Sequence, residues 1–182
     1  MIDTNTFLQK IADGLKEFDA QKKAPKIKRG PNKGKSYPPG AGSHEEPDQV
    51  LAVAKKYDWA ANDIKYSQGK CDLHAHDIWA EVKLIRPFGA NGKPAQHIDG
   101  TAYRVVEDAK KLSRATERGK KMVMAFAYDK DAKGSTAMPF IWDVQVLSAN
   151  RGVSLKKPII IPLERLVHPI HQFGWVVGWE LL

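Results

Sequence analysis

Chemistry-bearing residues crowd into one stretch, Asp72-Leu73-His74-Ala75-His76-Asp77-Ile78-Trp79-Ala80-Glu81-Val82-Lys83-Leu84-Ile85. From Ile78 the pattern alternates. Ile78, Ala80, Val82 and Leu84 share one side of an extended strand, and Trp79, Glu81, Lys83 and Ile85 share the other. A carboxylate and an ammonium on one face of an apolar strand need a reason, because charges are costly to bury unless paired or bound to a metal. Asp72 lies nine residues before Glu81, on what reads as the preceding strand of a hairpin. Two acids and a lysine gathered there suit a hard divalent cation. The alternative is an exposed ion pair on a strand, worth under about 1 kcal/mol.

The same stretch offers a second chemistry. Asp72-Leu73-His74-Ala75-His76 places two histidines at i and i+2, on one strand face, where they suit Zn²⁺ or Mn²⁺. It resembles the first metal motif of PHP-type phosphoesterases. Those families build a large barrel after the motif. Only 106 residues follow His76, short of the roughly 250 typical of such barrels. An exposed hairpin tip is the preferred reading of His74 and His76, and Asp77 is a rival to Asp72 as first acid. Cys71 has no adjacent His–Asp pattern to activate it and reads as a buried free thiol.

The elements that must position these groups can be read from periodicity and punctuation. Thr4 to Ala20 carries Phe7, Ile11, Leu15 and Phe18 at helical spacing. Residues 47–62 read as a second helix, 63–67 as a short strand and 70–85 as the hairpin, with His74 to Asp77 at its tip. Residues 86–100 are rich in Gly, Pro and Asn and read as a loop. Thr101 to Glu117 is amphipathic, with Ala102, Val105, Val106, Ala109 and Leu112 on one face. Met122 to Tyr128 is a continuous apolar run of the kind found in central strands. Phe140 to Leu147 and Ile159 to Ile161 are expected as strands. Leu163 to Val167 is expected as a helical turn and Gln172 to Leu182 as a final strand. Trp142, Trp175 and Trp179 fit core or interface packing. A strand, a crossover helix and a buried strand over 78–128 imply a parallel pair within a mixed sheet.

Charge is placed unevenly. The 182-residue chain has a net charge of +8, and residues 22–35, KKAPKIKRGPNKGK, hold seven Lys/Arg and no acid. Removing those seven from 29 leaves 22 basic residues against 21 acidic ones, so the excess belongs to one arm. Lys26, Lys28, Arg29, Lys33 and Lys35 are candidates for phosphate contacts, and a solvated linker is the alternative. Arg86, Lys93 and Gln96, just past the hairpin, are further candidates for nucleic-acid contact. The division expected is an N-terminal helix (1–20), a basic flexible arm (21–47) and an α/β domain (48–182). With 42% hydrophobic residues, no apolar run near the roughly 20 residues of a membrane helix, no signal-like start and one cysteine, a cytoplasmic protein is expected.

Helix, three strands bearing an acid and then Glu-x-Lys, helix, strand resembles the core of the PD-(D/E)xK nuclease superfamily, with Asp72 and Glu81-Val82-Lys83 as the motif. Cys71 stands where the family name has proline. The resemblance covers roughly 47–128. It implies a restriction-endonuclease-like mixed β-sheet flanked by helices and a Mg²⁺-dependent endonuclease acting on DNA, with Mn²⁺ as a substitute metal. Asp72, Glu81 and the Val82 carbonyl would hold the metal, with Glu46 as an added ligand, and Lys83 would orient or activate the water. Lys110 or Lys111 on the following helix would support the phosphate. Cutting both strands would call for a homodimer. The competing readings are a catalytically silent nucleic-acid-binding module of the same fold and a PHP-like metallohydrolase using Asp72, His74 and His76.

Overall fold

A computed structural model describes residues 2–89, 91–95 and 100–182; Gln96 and His97 lie outside them. Helix α1 (Thr4–Ala20) begins at Asp3, whose carboxylate accepts the Thr6 N–H at 2.9 Å and so satisfies one of the helix's free donors. Its apolar stripe, Phe7, Leu8, Ile11 and Leu15, is fully buried. Helix α2 (Glu46–Tyr57) has Pro47 in its first turn, with Glu46 and Asp48 at the positive end of the helix dipole. It stops at Asp58, which adopts a left-handed conformation at φ 55°. The sequence reading carried this helix to residue 62. Instead β1 (Ala60–Tyr66) already occupies that stretch.

Strands β2 (Gly69–Ala75) and β3 (Ile78–Ile85) form the expected hairpin, turning at His76-Asp77, so His74 lies within a strand. Helix α3 (Thr101–Ser113) then crosses to β4 (Lys120–Asp129), which pairs parallel to β3. The crossover closes tightly. A Cβ on Gly119 would sit 2.2 Å from the Asp77 carbonyl, and Gly119 has φ +114°, so only glycine fits. Strands β5 (Ile159–Leu163) and β6 (Phe173–Glu180) complete a six-stranded mixed sheet ordered β1-β2-β3-β4-β6-β5.

Helices cover both faces. On one, α1 and α2 bury Phe7, Ile11 and Val53 against Leu73, Ile78, Val82 and Phe126. On the other, α3 and helix α4 (Ala137–Asn150) bury Val106, Leu112 and Ile141 against Val123, Ala125 and Trp179. Strand β4 is buried on both sides, which explains its unbroken apolar run. Among the described residues no helix is long and apolar enough to cross a membrane.

Two further expectations are corrected. Phe140 to Leu147 is part of α4, not a strand. Its apolar residues fall on all sides, so no period stands out, yet Ala137, Ile141, Val144 and Ser148 form the buried helical face. The buried Asp129 carboxylate accepts the N–H groups of Thr136 (2.9 Å) and Ala137 (2.8 Å), fixing where that helix starts. Trp142 is 53% exposed, whereas Trp175 and Trp179 pack inside. Residues 164–167 form bends rather than a helical turn.

Candidate active site

The β2–β3 ladder runs from Ala75↔Ile78 to Leu73↔Ala80 and then stops. One further step of that register sets Asp72 opposite Glu81, with both side chains on the sheet face that α3 covers. Like charges at directly opposed positions destabilise a ladder. The paired register ends here, and the Val82 N–H donates to Asp72 Oδ2 at 2.8 Å in place of a backbone carbonyl.

Glu81 is 4% exposed. Its carboxylate accepts hydrogen bonds from Lys111 of α3 (2.7 Å) and the Tyr66 hydroxyl of β1 (3.3 Å). Lys83 reaches three further acids: Asp108 of α3 at 2.9 Å, Glu46 of α2 at 3.8 Å and Asp72 at 4.0 Å. The contact with Asp108 is a close ion pair in which Lys83 is the partner of the buried Asp108 Oδ2. The Lys83 ammonium also donates to the Val82 carbonyl at 2.7 Å, the same oxygen expected as a metal ligand.

Four carboxylates from four elements therefore surround two ammonium groups. Fully ionised, the group carries two uncompensated negative charges. The titration behaviour follows. Burial raises the Glu46 carboxyl from 4.5 to about 7; Lys83 pulls it down, while Asp72 and Asp108 push it further up. Burial likewise raises Glu81 to about 7, opposed by the Lys111 hydrogen bond and reinforced by Asp72 and Asp108. For Lys83, burial alone favours the neutral amine, but the field of Glu46 and Asp108 outweighs it and its pKa rises. Lys111 also shifts up: burial opposes this, and Glu81 overcomes it. The Glu81–Lys111 pair thus stabilises the lysine's charge without rescuing the carboxylate's. Glu81 is the more deeply buried partner, and it alone also faces Asp72.

A cleft of about 600 Å³ reaches this group at Glu46 and Lys83, which line it with Tyr37, Arg86, Thr101 and Arg104; Asp72, Glu81, Asp108 and Lys111 lie behind them and do not line it. Among the described residues, no three His, Cys, Asp or Glu side chains are arranged as a metal cage. The donor chemistry nevertheless suits a hard dication. It offers carboxylate oxygens from four elements and an excess of two negative charges.

The structure thus gathers Asp72, Glu81, Lys83 and Glu46, all named from sequence. It also brings Lys111, a further candidate, to Glu81 at 2.7 Å, but not the others. Arg86 lines the cleft, but its guanidinium donates to the carbonyls of Gly42 (3.1 Å) and His44 (3.3 Å) and pairs with Glu45. Lys93 is exposed on the loop, and Lys26, Lys28, Arg29, Lys33 and Lys35 are exposed on the arm. His74 stacks on Trp79 at 4.0 Å, and His76 occupies the turn with φ 56°. Asp77 sits in that same turn, at the opposite end of β3 from Lys83. The Cys71 thiol is buried and its pKa is pushed up to about 12, so it is not a nucleophile. Sequence reasoning missed Asp108 and Tyr66. The only available signal for Asp108 was its position three residues before Lys111 on the polar side of α3.

No protein-family model matches the chain, and neither a curated protein nor a solved structure matches it.

Proposed function

We propose that the chain is a metal-dependent phosphodiester hydrolase acting on DNA, an endonuclease on a restriction-endonuclease-like core. The order α2-β1-β2-β3-α3-β4, an antiparallel meander followed by a parallel crossover strand, supports that core. The observation that carries the function is the place where the β2–β3 pairing ends. There Asp72 and Glu81 occupy facing positions, with Lys83 beside them at the edge of a cleft.

Asp72 and Glu81 would hold Mg²⁺, with Glu46 or Asp108 completing the set. When bound, the ion supplies positive charge against the scissile phosphate and acidifies an attacking water. The protein's own groups do the rest. Lys83 stays protonated among its acids, so it contributes charge and a directed N–H donor rather than a base. Where Asp108 completes the set, Glu46, whose carboxyl is pushed up by burial in the metal-free protein, would be left to take the proton released as water attacks. Lys111 and Tyr66 hold Glu81 in one orientation, which keeps the site preorganised.

Nicking of supercoiled plasmid DNA tests this. Mg²⁺-dependent nicking is expected in the wild type, abolished in Glu81→Ala and Lys83→Ala and retained in His74→Ala. DNA left intact by the wild type at every metal concentration, or nicking that survives Lys83→Ala, would reject the assignment.

A further inference from the structure

The basic arm is built as a ribbon, not a tether. Ile27 donates its N–H to the Lys35 carbonyl at 2.8 Å, Gly34 donates to Ile27 at 2.9 Å, and Tyr37 donates to Pro25 at 2.9 Å. Lys26 and Ser36 pair antiparallel. The segment folds back on itself through Gly30 (φ +82°) and Gly34 (φ +87°), and a Cβ on either would meet nothing within 4 Å. The tip therefore projects into open space.

Both ends of the ribbon are pinned to the core. The buried Asp19 carboxylate, one residue from the end of α1, accepts the N–H groups of Ala41 and Val167, each at 2.7 Å. Gly40 donates to the Lys23 carbonyl at 3.1 Å, and His44 bonds the same oxygen at 3.2 Å. Tyr37, on the returning strand, lines the cleft beside Glu46 and Lys83. The ribbon thus has a defined position at the mouth of the candidate site.

Its surface is unusually one-signed. Lys22, Lys23, Lys26, Lys28, Arg29, Lys33 and Lys35 are all exposed, and among the described residues none makes an ion pair. A solvated face normally mixes signs, and the rest of this chain does so. An unpaired cationic ribbon fits a regular polyanion. The major groove of B-form DNA admits a two-stranded ribbon, whereas that of A-form RNA is too deep and narrow for side chains to read.

We propose that residues 25–37 form a DNA-docking ribbon that enters the major groove of duplex DNA and sets which phosphodiester reaches the cleft. This rests on the hydrolase reading for the role of the cleft, but duplex binding by the ribbon is measurable without hydrolysis.

The test uses the full chain in EDTA and fluorescence anisotropy with three labelled probes of one sequence: duplex DNA, single-stranded DNA and duplex RNA. The wild type is expected to bind duplex DNA at least about tenfold more tightly than either other probe. In Lys28→Ala/Arg29→Ala/Lys33→Ala, three lost phosphate contacts should weaken duplex binding on the order of 100-fold at physiological salt and reduce the salt slope by about 3. A control of equal charge loss, Lys16→Ala/Lys55→Ala/Lys157→Ala, should bind almost as the wild type does. Equal weakening in both triple variants, or equal affinity for duplex RNA, would overturn the ribbon's role. Plasmid nicking by the wild type in Mg²⁺ separates the two readings. Ribbon-dependent binding without nicking retains the ribbon and removes the hydrolase, whereas nicking unchanged in the ribbon variant does the reverse.

Discussion

Neutralising Glu81 should make the metal-free protein more stable at pH 8 and leave it nearly unchanged at pH 5. Glu81 titrates near 4.5 when unfolded and near 7 when folded. Between those values the folded state binds more protons than the unfolded one, so stability falls as pH rises. The stabilisation of the protonated carboxyl is complete below 4.5 and gone above about 7. A rise from 4.5 to about 7 corresponds to about 3 kcal/mol. For a domain of this size that is about 6–12 °C in Tm. Glu81→Gln mimics the protonated acid, so it should escape the loss. The depressed histidines complicate the wild-type curve alone. His168, lowered by burial and by His171 to about 4, adds stability as pH rises from 4 to 6.5, the opposite sign. The difference between wild type and Glu81→Gln cancels that contribution. Thermal unfolding in EDTA from pH 5 to 8 gives the difference directly. Mg²⁺ at about 100 times its Kd should add about 2.7 kcal/mol to the wild type at pH 8, and much less at pH 5 or in the variant. A variant no more stable than wild type at pH 8 would refute the excess-charge account of the site. So would a Mg²⁺ stabilisation independent of pH.

Other perturbations give separate readings. Lys83→Met should lower the DNA-nicking rate by at least about 100-fold, the scale of removing one preorganised electrostatic donor, measured as initial rate at fixed protein. Asp108→Asn removes one of the acids facing Lys83 and should move the midpoint of the pH–rate profile downward, because Glu46 and Glu81 each lose a repulsive neighbour; an unmoved midpoint would exclude Asp108 from the site. Trp179→Ala empties a fully buried position and should cost about 3–5 kcal/mol in urea unfolding, whereas Trp142→Ser on exposed α4 should stay within about 0.5 kcal/mol.

Much of this architecture was legible because its signals are local. Alternation at 78–85 marked a strand, the apolar run 122–128 marked a central one, and the helical stripe at 101–112 lay between them. Those three facts imply a parallel crossover, and β3 and β4 do pair in parallel. Helix α4 was not legible, because a helix apolar on several sides has no period to detect. What marks its start is Asp129, on a different element, bonding the first helical N–H groups. The site divides the same way. Asp72, Glu81 and Lys83 share a hairpin and show themselves by charge on an apolar strand. Glu46 was weaker, named only by its place just ahead of the helix expected at 47–62. Asp108 and Tyr66 reach the site through helix orientation and strand order, which no local spacing encodes.

The end of the β2–β3 pairing is the hardest feature to explain as architecture alone. A hairpin with no other task would place an apolar or oppositely charged pair across positions 72 and 81, continue its ladder and gain stability. This one places two acids there, forfeits the pairing, and spends an Asp72 oxygen on the Val82 N–H to cover the loss. Lys83 and Lys111 return part of the electrostatic cost, yet two of the four acids still titrate near neutrality. Local arrangements that lower stability persist where something else depends on them. The proposed cation would account for this pattern. It would supply the two missing positive charges and favour ionised Glu46 and Glu81, where the β2–β3 pairing has ended.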